Sequence, residues 1–353
     1  MQGNGAYNKA AVYQMSLVDL TSDLLRQAMA RFAKNSARKS SYCIADLGAS
    51  QGRNSLELIR HLLRHLDASL PHVSREFLVL HEDQPSNDFG SLLETLNSSQ
   101  SYIHSHPIVY TGVISKSFYE RLVPAASVDV FVTYISTHWL SKVPTPLPGS
   151  TVFINDPERA KSLPSSTLAA WHEAAHEDLV RFLRLRAHEL VDHGSLCMTA
   201  VSDMGSERTL QQLSVMTRAL EDLVDMGKLS RASLDRMAVG YVKRTTAQFL
   251  AAFDQVPELQ VHEYQHVPIE YTCGRPQDAA AFFLSIHKPS FEAGMTEQER
   301  QDPCLQDALM DCMIKRFNEA LNGSMEPFYA SIVGGYFYVH CSRRPRAAAT
   351  RIP

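Results

Sequence analysis

The sequence has no basic run longer than the Arg343-Arg344-Pro345-Arg346 segment, and its formal net charge is −4 over 353 residues. Nucleic acid, which calls for a clustered cationic face, is not an expected partner. It has no apolar stretch long enough to span a bilayer, and no charged leader followed by an apolar run at its N-terminus. Neither membrane association nor a signal peptide is expected. The six cysteines, at 43, 197, 273, 304, 312 and 341, form no C-x-x-C pair and no disulfide-like framework, which points to a reduced, cytoplasmic chain. What is present is ordinary globular composition, 44% hydrophobic and 20% charged, enough for one large domain or two unequal ones.

One stretch organises the rest. Tyr42 to Ala45 reads as a short buried strand, Asp46, Gly48, Ser50 and Gly52 as a turn, and Asn54 to Leu66 as a helix with apolar residues at Leu56, Ile59, Leu62, Leu63 and Leu66. Strand, glycine turn and helix build a nucleotide-sized crevice at the carboxyl end of a parallel sheet. The turn reads Asp46-Leu-Gly48-Ala-Ser-Gln-Gly52, so it is neither the dinucleotide G-x-G-x-x-G nor a Walker loop. Taken alone, a strand-to-helix turn without a ligand is the competing reading.

Around it the chain alternates strand and helix. A helix is expected from about Ala10 to Phe32, and strands at Glu76–Leu80, Pro107–Val113, Val128–Tyr134 and Ser195–Val201. Asn87 is a candidate helix cap. A long helix from Trp171 to Val191 ends at a His193-Gly194 cap signal. An acid at the end of the second strand, Glu82 or Asp83, suits a ribose. The architecture expected is α/β: a doubly wound, Rossmann-like sheet with a mainly helical cap insert. The divisions are a lid segment and helix at 1–40, the crevice-bearing domain at 41–202, the helical cap at 203–255, and the remaining sheet and C-terminal segment at 256–353. In the last division, helices are expected at Asp278–Ser285 and Leu305–Leu321, and strands at Leu259–Ile269 and Gly335–Cys341.

His172-Glu173-Ala-Ala-His176 fits the zinc-protease pattern H-E-x-x-H on a helix, with Glu173 as the base of a zinc hydrolase. No metzincin continuation follows; Glu177 and Asp178 point elsewhere on the helix, and the next acid after them, Glu189, lies roughly 20 Å away at about 1.5 Å per residue. A solvated helix face is the better account, and no metal is expected.

Several of these signals recur in order in one family. Ile44-Ala-Asp-Leu-Gly-Ala-Ser-Gln-Gly-Arg-Asn54 resembles the I-A-D-L-G-C-S-S-G-P-N of the SABATH methyltransferases, the salicylate, benzoate and theobromine type. Glu82-Asp-Gln-Pro-Ser-Asn-Asp-Phe89 resembles N-D-L-P-x-N-D-F, Ser117 to Leu122 resembles S-F-Y-x-R-L, and His138-Trp-Leu-Ser141 resembles H-W-L-S. Phe182 to Leu190 is similar to F-L-x-x-R-A-x-E-L, and Tyr7 and Gln14 match the N-terminal spacing. The resemblance implies S-adenosylmethionine (SAM) as cofactor. Asp46, Gly48, Ala49 and Asn54 would line its methionine end, Asp83 its ribose, and Gln84, Ser117 and Phe118 its adenosine, with Tyr7 closing over it. Gln14 and Trp139 would bind the substrate carboxylate, with His138 in the same pocket and Ile135 standing where the family has Tyr. A homodimer is expected on the same ground.

The reaction so implied is O-methylation of the carboxylate of a small aromatic, dicarboxylic or other secondary-metabolite acid. Such an acid, with a pKa near ~4, is an anion at neutral pH and needs no general base. No catalytic acid or base is expected; Gln14 and Trp139 act by positioning. N-methylation of a purine-like ring on the same fold is the alternative, and the zinc hydrolase one from another class. A SAM-binding protein without activity is a further rival.

Overall fold

The structure, a computed structural model, describes residues 5, 8, 12–36, 39–70, 75–106, 108–203, 211–272, 275–322 and 331–346. Seven strands form one sheet in the order β3-β2-β1-β4-β5-β7-β6. They are β1 (Ser41–Leu47), β2 (Glu76–Asp83), β3 (Val109–Ser115), β4 (Val128–Tyr134), β5 (Leu190–Val201), β6 (Leu259–Thr272) and β7 (Ser331–Arg343). β1 to β5 pair in parallel, and β7 runs antiparallel to both β5 and β6. The chain builds outward from β1 to β3, then crosses back to lay β4 on the other side of β1. That reversal opens a crevice at the carboxyl ends of β1 and β4.

The central strands are apolar nearly throughout because both faces are covered. Ile44 and Val130 face one core with Phe32 and Leu62, while Ala45 and Phe131 face another with Leu183 and Phe249. The first core is closed by α1 (Val12–Leu20), α2 (Ser22–Asn35) and α3 (Arg53–Ser69), the second by α5 (Ser165–Glu189). The apolar stripe expected on α3 is buried at every position named from sequence.

Details differ from the sequence expectation for local reasons. The first helix is two, broken at Thr21, whose hydroxyl donates to the Leu17 carbonyl at 2.7 Å and lies 2.9 Å from the Tyr134 hydroxyl. The cap of α4 (Phe89–Leu96) is Asp88, which accepts from Ser91 N; Asn87 instead donates to the Ser50 carbonyl at 2.8 Å, tying this turn to the glycine turn. His193-Gly194 does not cap α5. The helix stops at Glu189, and His193, with φ of 64°, forms an irregularity inside β5. Gly194 is needed there, since a Cβ would stand 2.9 Å from the Val191 carbonyl. The third strand starts at Val109, and Pro107 lies outside the described residues.

The helical cap does not coincide with 203–255. Its α6 (Gln211–Asp225) and α7 (Arg231–Arg236) share one core with α9 (Pro276–Gly294) and α11 (Pro303–Asn322), which sequence had assigned to the remainder of the sheet. The short α10 (Glu297–Gln301) joins the last two. The helix α8 (Thr246–Asp254), inside the expected cap, lies on the sheet instead. Its Phe249 ring stacks on Phe337 at 4.5 Å because its apolar residues match the face of β7 rather than the cap. No helix among the described residues is long and apolar enough to cross a membrane.

Candidate active site

The crevice is shaped by backbone that only small residues allow. Gly48 has φ of 85°, and a Cβ there would stand 2.0 Å from the Ser136 hydroxyl of the β4 loop. Gly52, at φ of 93°, precedes α3, and a Cβ would meet the Leu92 side chain at 2.9 Å. The turn hangs on the end of β2. Gly48 N and Ala49 N both donate to the Glu82 carbonyl at 2.9 Å. Ser50 N donates to Asp83 Oδ2 at 2.7 Å, and Gln84 N to Asp83 Oδ1 at 2.8 Å.

Two adjoining cavities open here and share Gly48, Tyr134 and Ile135 in their walls. The smaller, of about 30 Å³, is also lined by Asp46, Ala49, Asn54 and Ser55. The larger, of about 370 Å³, runs past Asp83, Gln84, Ser117 and Phe118 to Trp139 and the α9 face. Ten of the residues named from sequence are thereby brought together: Asp46, Gly48, Ala49, Asn54, Asp83, Gln84, Ser117, Phe118, Ile135 and Trp139. His138 lines neither cavity. It is 4% exposed, and its ring packs on Trp139 at 4.9 Å and Tyr241 at 5.0 Å. Tyr7 lies outside the described residues, and so does the side chain of Gln14.

The family model of SAM-dependent carboxyl methyltransferases matches residues 1–335. The chain belongs to that family. The methyltransferase is 24% identical over 370 residues to jasmonate O-methyltransferase of Arabidopsis thaliana, covering 97% of this chain and 94% of that one. It is 27% identical over 341 residues to the benzoic acid/salicylic acid carboxyl methyltransferase 1 of Petunia hybrida, covering 91% and 94%. In fold it matches a loganic acid methyltransferase with S-adenosylhomocysteine (SAH), with a TM-score of 0.81, 17% identity and 98% of each chain covered. The enzyme uses SAM to methylate the carboxylate of a small acid.

The methyltransferase's crevice fits that cofactor, a sulfonium cation with an ammonium group. Three buried carboxyls, Asp46, Glu82 and Asp83, stand in the crevice walls. Burial pushes Asp46 up to about 7, with the Ser55 hydrogen bond opposing and Asp83 adding to the rise. Burial also raises Asp83, against the two backbone N–H groups it accepts, and holds Glu82 well above its usual range. Glu82 Oε2 accepts from Gly48 N at 3.2 Å, while its buried Oε1 has no protein partner. A cation among these acids favours their ionised forms, which is the electrostatic complement of a positively charged donor.

The loop that carries Ser117 and Phe118 is clamped from behind by α5. Arg186, buried, donates to the Phe118 carbonyl at 3.0 Å and the Glu120 carbonyl at 2.9 Å, and pairs with Glu189 at 2.8 Å. Glu189 Oε1 accepts from Leu122 N at 2.6 Å. These are the Arg and Glu of the family-like segment at 182–190. On the far side, Trp139 is fixed by its backbone: its carbonyl accepts from the Tyr119 hydroxyl at 2.6 Å, and it bridges Tyr241. Its indole lies against the Tyr241 and His287 rings at 5.8 and 5.6 Å.

A wall from the helical cap was expected of 203–255, and α9 was missed as its source. Ile286, Pro289, Ser290 and Ala293 of α9 line the larger cavity, and their 0, 3, 4, 7 spacing was the available signal. The H-E-x-x-H segment lies on α5. His172 and Glu173 are exposed, His176 lies 2.7 Å from Gln255, and among the described residues no three ligand-type side chains converge.

Proposed function

We propose that the substrate is a small, mostly apolar carboxylic acid, held with its carboxylate against Trp139 and Gln14 and its oxygen in line with the donor methyl. The observation that carries this reading is a pair of adjoining cavities, with Asp46 in the wall of the smaller, and Asp83 and the ring-packed indole of Trp139 in the wall of the larger. Bound SAM supplies the methyl group and its own neutral leaving group. The remaining work is to position the acid and exclude water, which is worth on the order of 7–11 kcal/mol. In this reading Asp46, Gly48, Ala49 and Asn54 hold the methionine end, Asp83 the ribose, and Gln84, Ser117 and Phe118 the adenosine. Trp139 donates its indole N–H to the carboxylate, with Gln14 beside it and Tyr7 over the cofactor. His138 acts from behind Trp139 as an uncharged wall: burial and the neighbouring His287 hold its pKa well below the usual range. Burial brings His287 to about 3, so the imidazoles in this wall are neutral at physiological pH.

Free thiols at Cys43, Cys197, Cys304, Cys312 and Cys341 support a reducing, cytoplasmic location, and the homodimer rests on family resemblance.

Incubation with methyl-labelled SAM and a panel of mono- and dicarboxylic acids tests the reading. The expected product is a methyl ester that alkali cleaves. An alkali-stable product would favour N-methylation, and labelling of dicarboxylic acids alone would count against a mostly apolar substrate.

A further inference from the structure

His81, near the end of β2, is fully buried, and both of its ring nitrogens are engaged. Nδ1 lies 2.8 Å from Ser55 Oγ, and Nε2 lies 2.8 Å from the Tyr102 hydroxyl. Ser55 Oγ in turn bonds Asp46 Oδ2, and the Tyr102 hydroxyl lies 3.2 Å from Thr111 Oγ1. Five side chains thus form one unbranched chain from β1 through α3, β2 and the turn at Tyr102–His104 to β3. Asp46, at one end, lines the smaller cavity; Thr111, at the other, is exposed on the edge strand of the sheet.

A neutral imidazole has one donor and one acceptor, and each hydroxyl one proton. The chain therefore has two self-consistent arrangements. With Asp46 protonated, its O–H donates to Ser55, Ser55 to Nδ1, Nε2–H to Tyr102, and Tyr102 to Thr111. With Asp46 ionised, every bond reverses: Thr111 donates to Tyr102, Tyr102 to Nε2, Nδ1–H to Ser55, and Ser55 to the carboxylate. Burial holds His81 down to about 3, so it remains neutral in either arrangement.

We propose that this chain is a proton relay serving the cofactor site, in which a cation binding beside Asp46 sends one proton to solvent at Thr111 and flips the His81 tautomer. The proton of Asp46 passes to Ser55 Oγ as the Ser55 proton moves to Nδ1. The Nε2 proton passes to the Tyr102 oxygen, the Tyr102 proton to Thr111 Oγ1, and the Thr111 proton to water. Five relay protons become four, and no other group is oxidised, reduced or cleaved. The route leads away from the crevice, so the carboxyl can ionise while a ligand covers its cavity side. The other groups acting on Asp46 are Glu82 and Asp83 of β2, Tyr102, and Tyr134 of β4; burial and Asp83 both favour its neutral form before a cation arrives. Asp83 is less suited to such a response, because backbone N–H groups already fix both of its oxygens. Ser55 and His81 are positioning residues in this scheme, acting through Asp46.

The proposal rests on Asp46 lying at the methionine end of the cofactor. Its test is the ¹⁵N spectrum of imidazole-labelled protein at pH 6, with and without SAH, whose amino group supplies the cation. His81 is expected as Nε2–H without ligand and as Nδ1–H with it. Calorimetry in two buffers of different ionisation heat should show release approaching one proton per site. Thr111→Val, a nearly isosteric change on an exposed strand, removes the acceptor that the Asp46-protonated arrangement needs, so it should show Nδ1–H even without SAH. One unchanging His81 tautomer, or no proton release while SAH binds, overturns the relay and leaves the functional reading intact. Absence of SAH binding overturns both.

Discussion

Adding a methyl group at Gly48 probes the closest approach in the crevice. Gly48→Ala places a Cβ 2.0 Å from Ser136 Oγ and 2.7 Å from Ser136 Cβ, at a backbone φ of 85°. Ser136 Oγ can rotate away, at the loss of its 3.3 Å bond to the Tyr134 carbonyl. The Cβ–Cβ clash cannot be relieved by rotation, so β1 and the β4 loop must separate. The left-handed conformation costs about 1–2 kcal/mol for a non-glycine residue. Overpacking of this kind adds about 1–3 kcal/mol. Together they remove roughly 2–5 kcal/mol, a drop in Tm of roughly 3–7 °C for a chain of this length. Thermal denaturation with and without SAH measures it, and the separation should also weaken SAH at least tenfold. Adding Ser136→Gly removes the atoms in conflict. Measured against Ser136→Gly alone, Gly48→Ala should then cost only the conformational part, a coupling of about 1–3 kcal/mol in the double-mutant cycle. If Gly48→Ala leaves both Tm and SAH affinity unchanged, or if the two changes are additive, the packing argument fails.

Trp139→Ala should lower turnover at least tenfold while SAH affinity, read by calorimetry, stays within about threefold, since one lost hydrogen bond to an anion costs about 1.5–3 kcal/mol. SAH affinity should rise with pH between about 5.5 and 7.5. Asp46 sits at about 7 against an ordinary 3.8, so its neutral form dominates below that window and its carboxylate above it, and each pH unit is worth at most tenfold. The same raised value makes the ligand-free protein lose stability as pH climbs from about 4 to about 7; Asp46→Asn should reduce that loss, the remainder coming from Glu82 and Asp83, which burial also raises. Arg186→Met should destabilise by about 3–5 kcal/mol in denaturant titrations, because it strands the buried Glu189 carboxylate. Replacing His172 and His176 together with alanine should leave methylation and its insensitivity to chelators unchanged, measured as rates with and without EDTA.

What the sequence disclosed was set by periodicity. β4 was read at its full extent, Val128–Tyr134, because an apolar run bounded by a polar loop has one interpretation. The β1–turn–α3 unit was equally legible, through Gly48, Gly52 and the leucine stripe of α3. Boundaries failed where two residues of similar chemistry compete, as at Asn87 and Asp88, both able to cap and only one placed to do so. The cap failed for a different reason. The residues that close the crevice from α9 lie far along the chain from the turn they face, and helical spacing does not say which surface a stripe will meet. α8 went astray likewise, since Phe249 fits a sheet face or a cap equally well until Phe337 is in place. Trp139 and Ile135 were found by family likeness rather than pattern, and Ile135 proves to hold a φ of 57°, unusual for a β-branched side chain. His81 was overlooked because a polar residue in a strand reads as the strand's end, whereas here both nitrogens are paired inside the core.

The account stands most directly on where the donor binds. Titrating SAH into the wild-type chain and into Asp83→Ala, with heat as the readout, is the deciding measurement. The account predicts one site per chain in the wild type and at least a tenfold weaker one in the variant. No heat from the folded wild type, or equal affinity in the two, would contradict it.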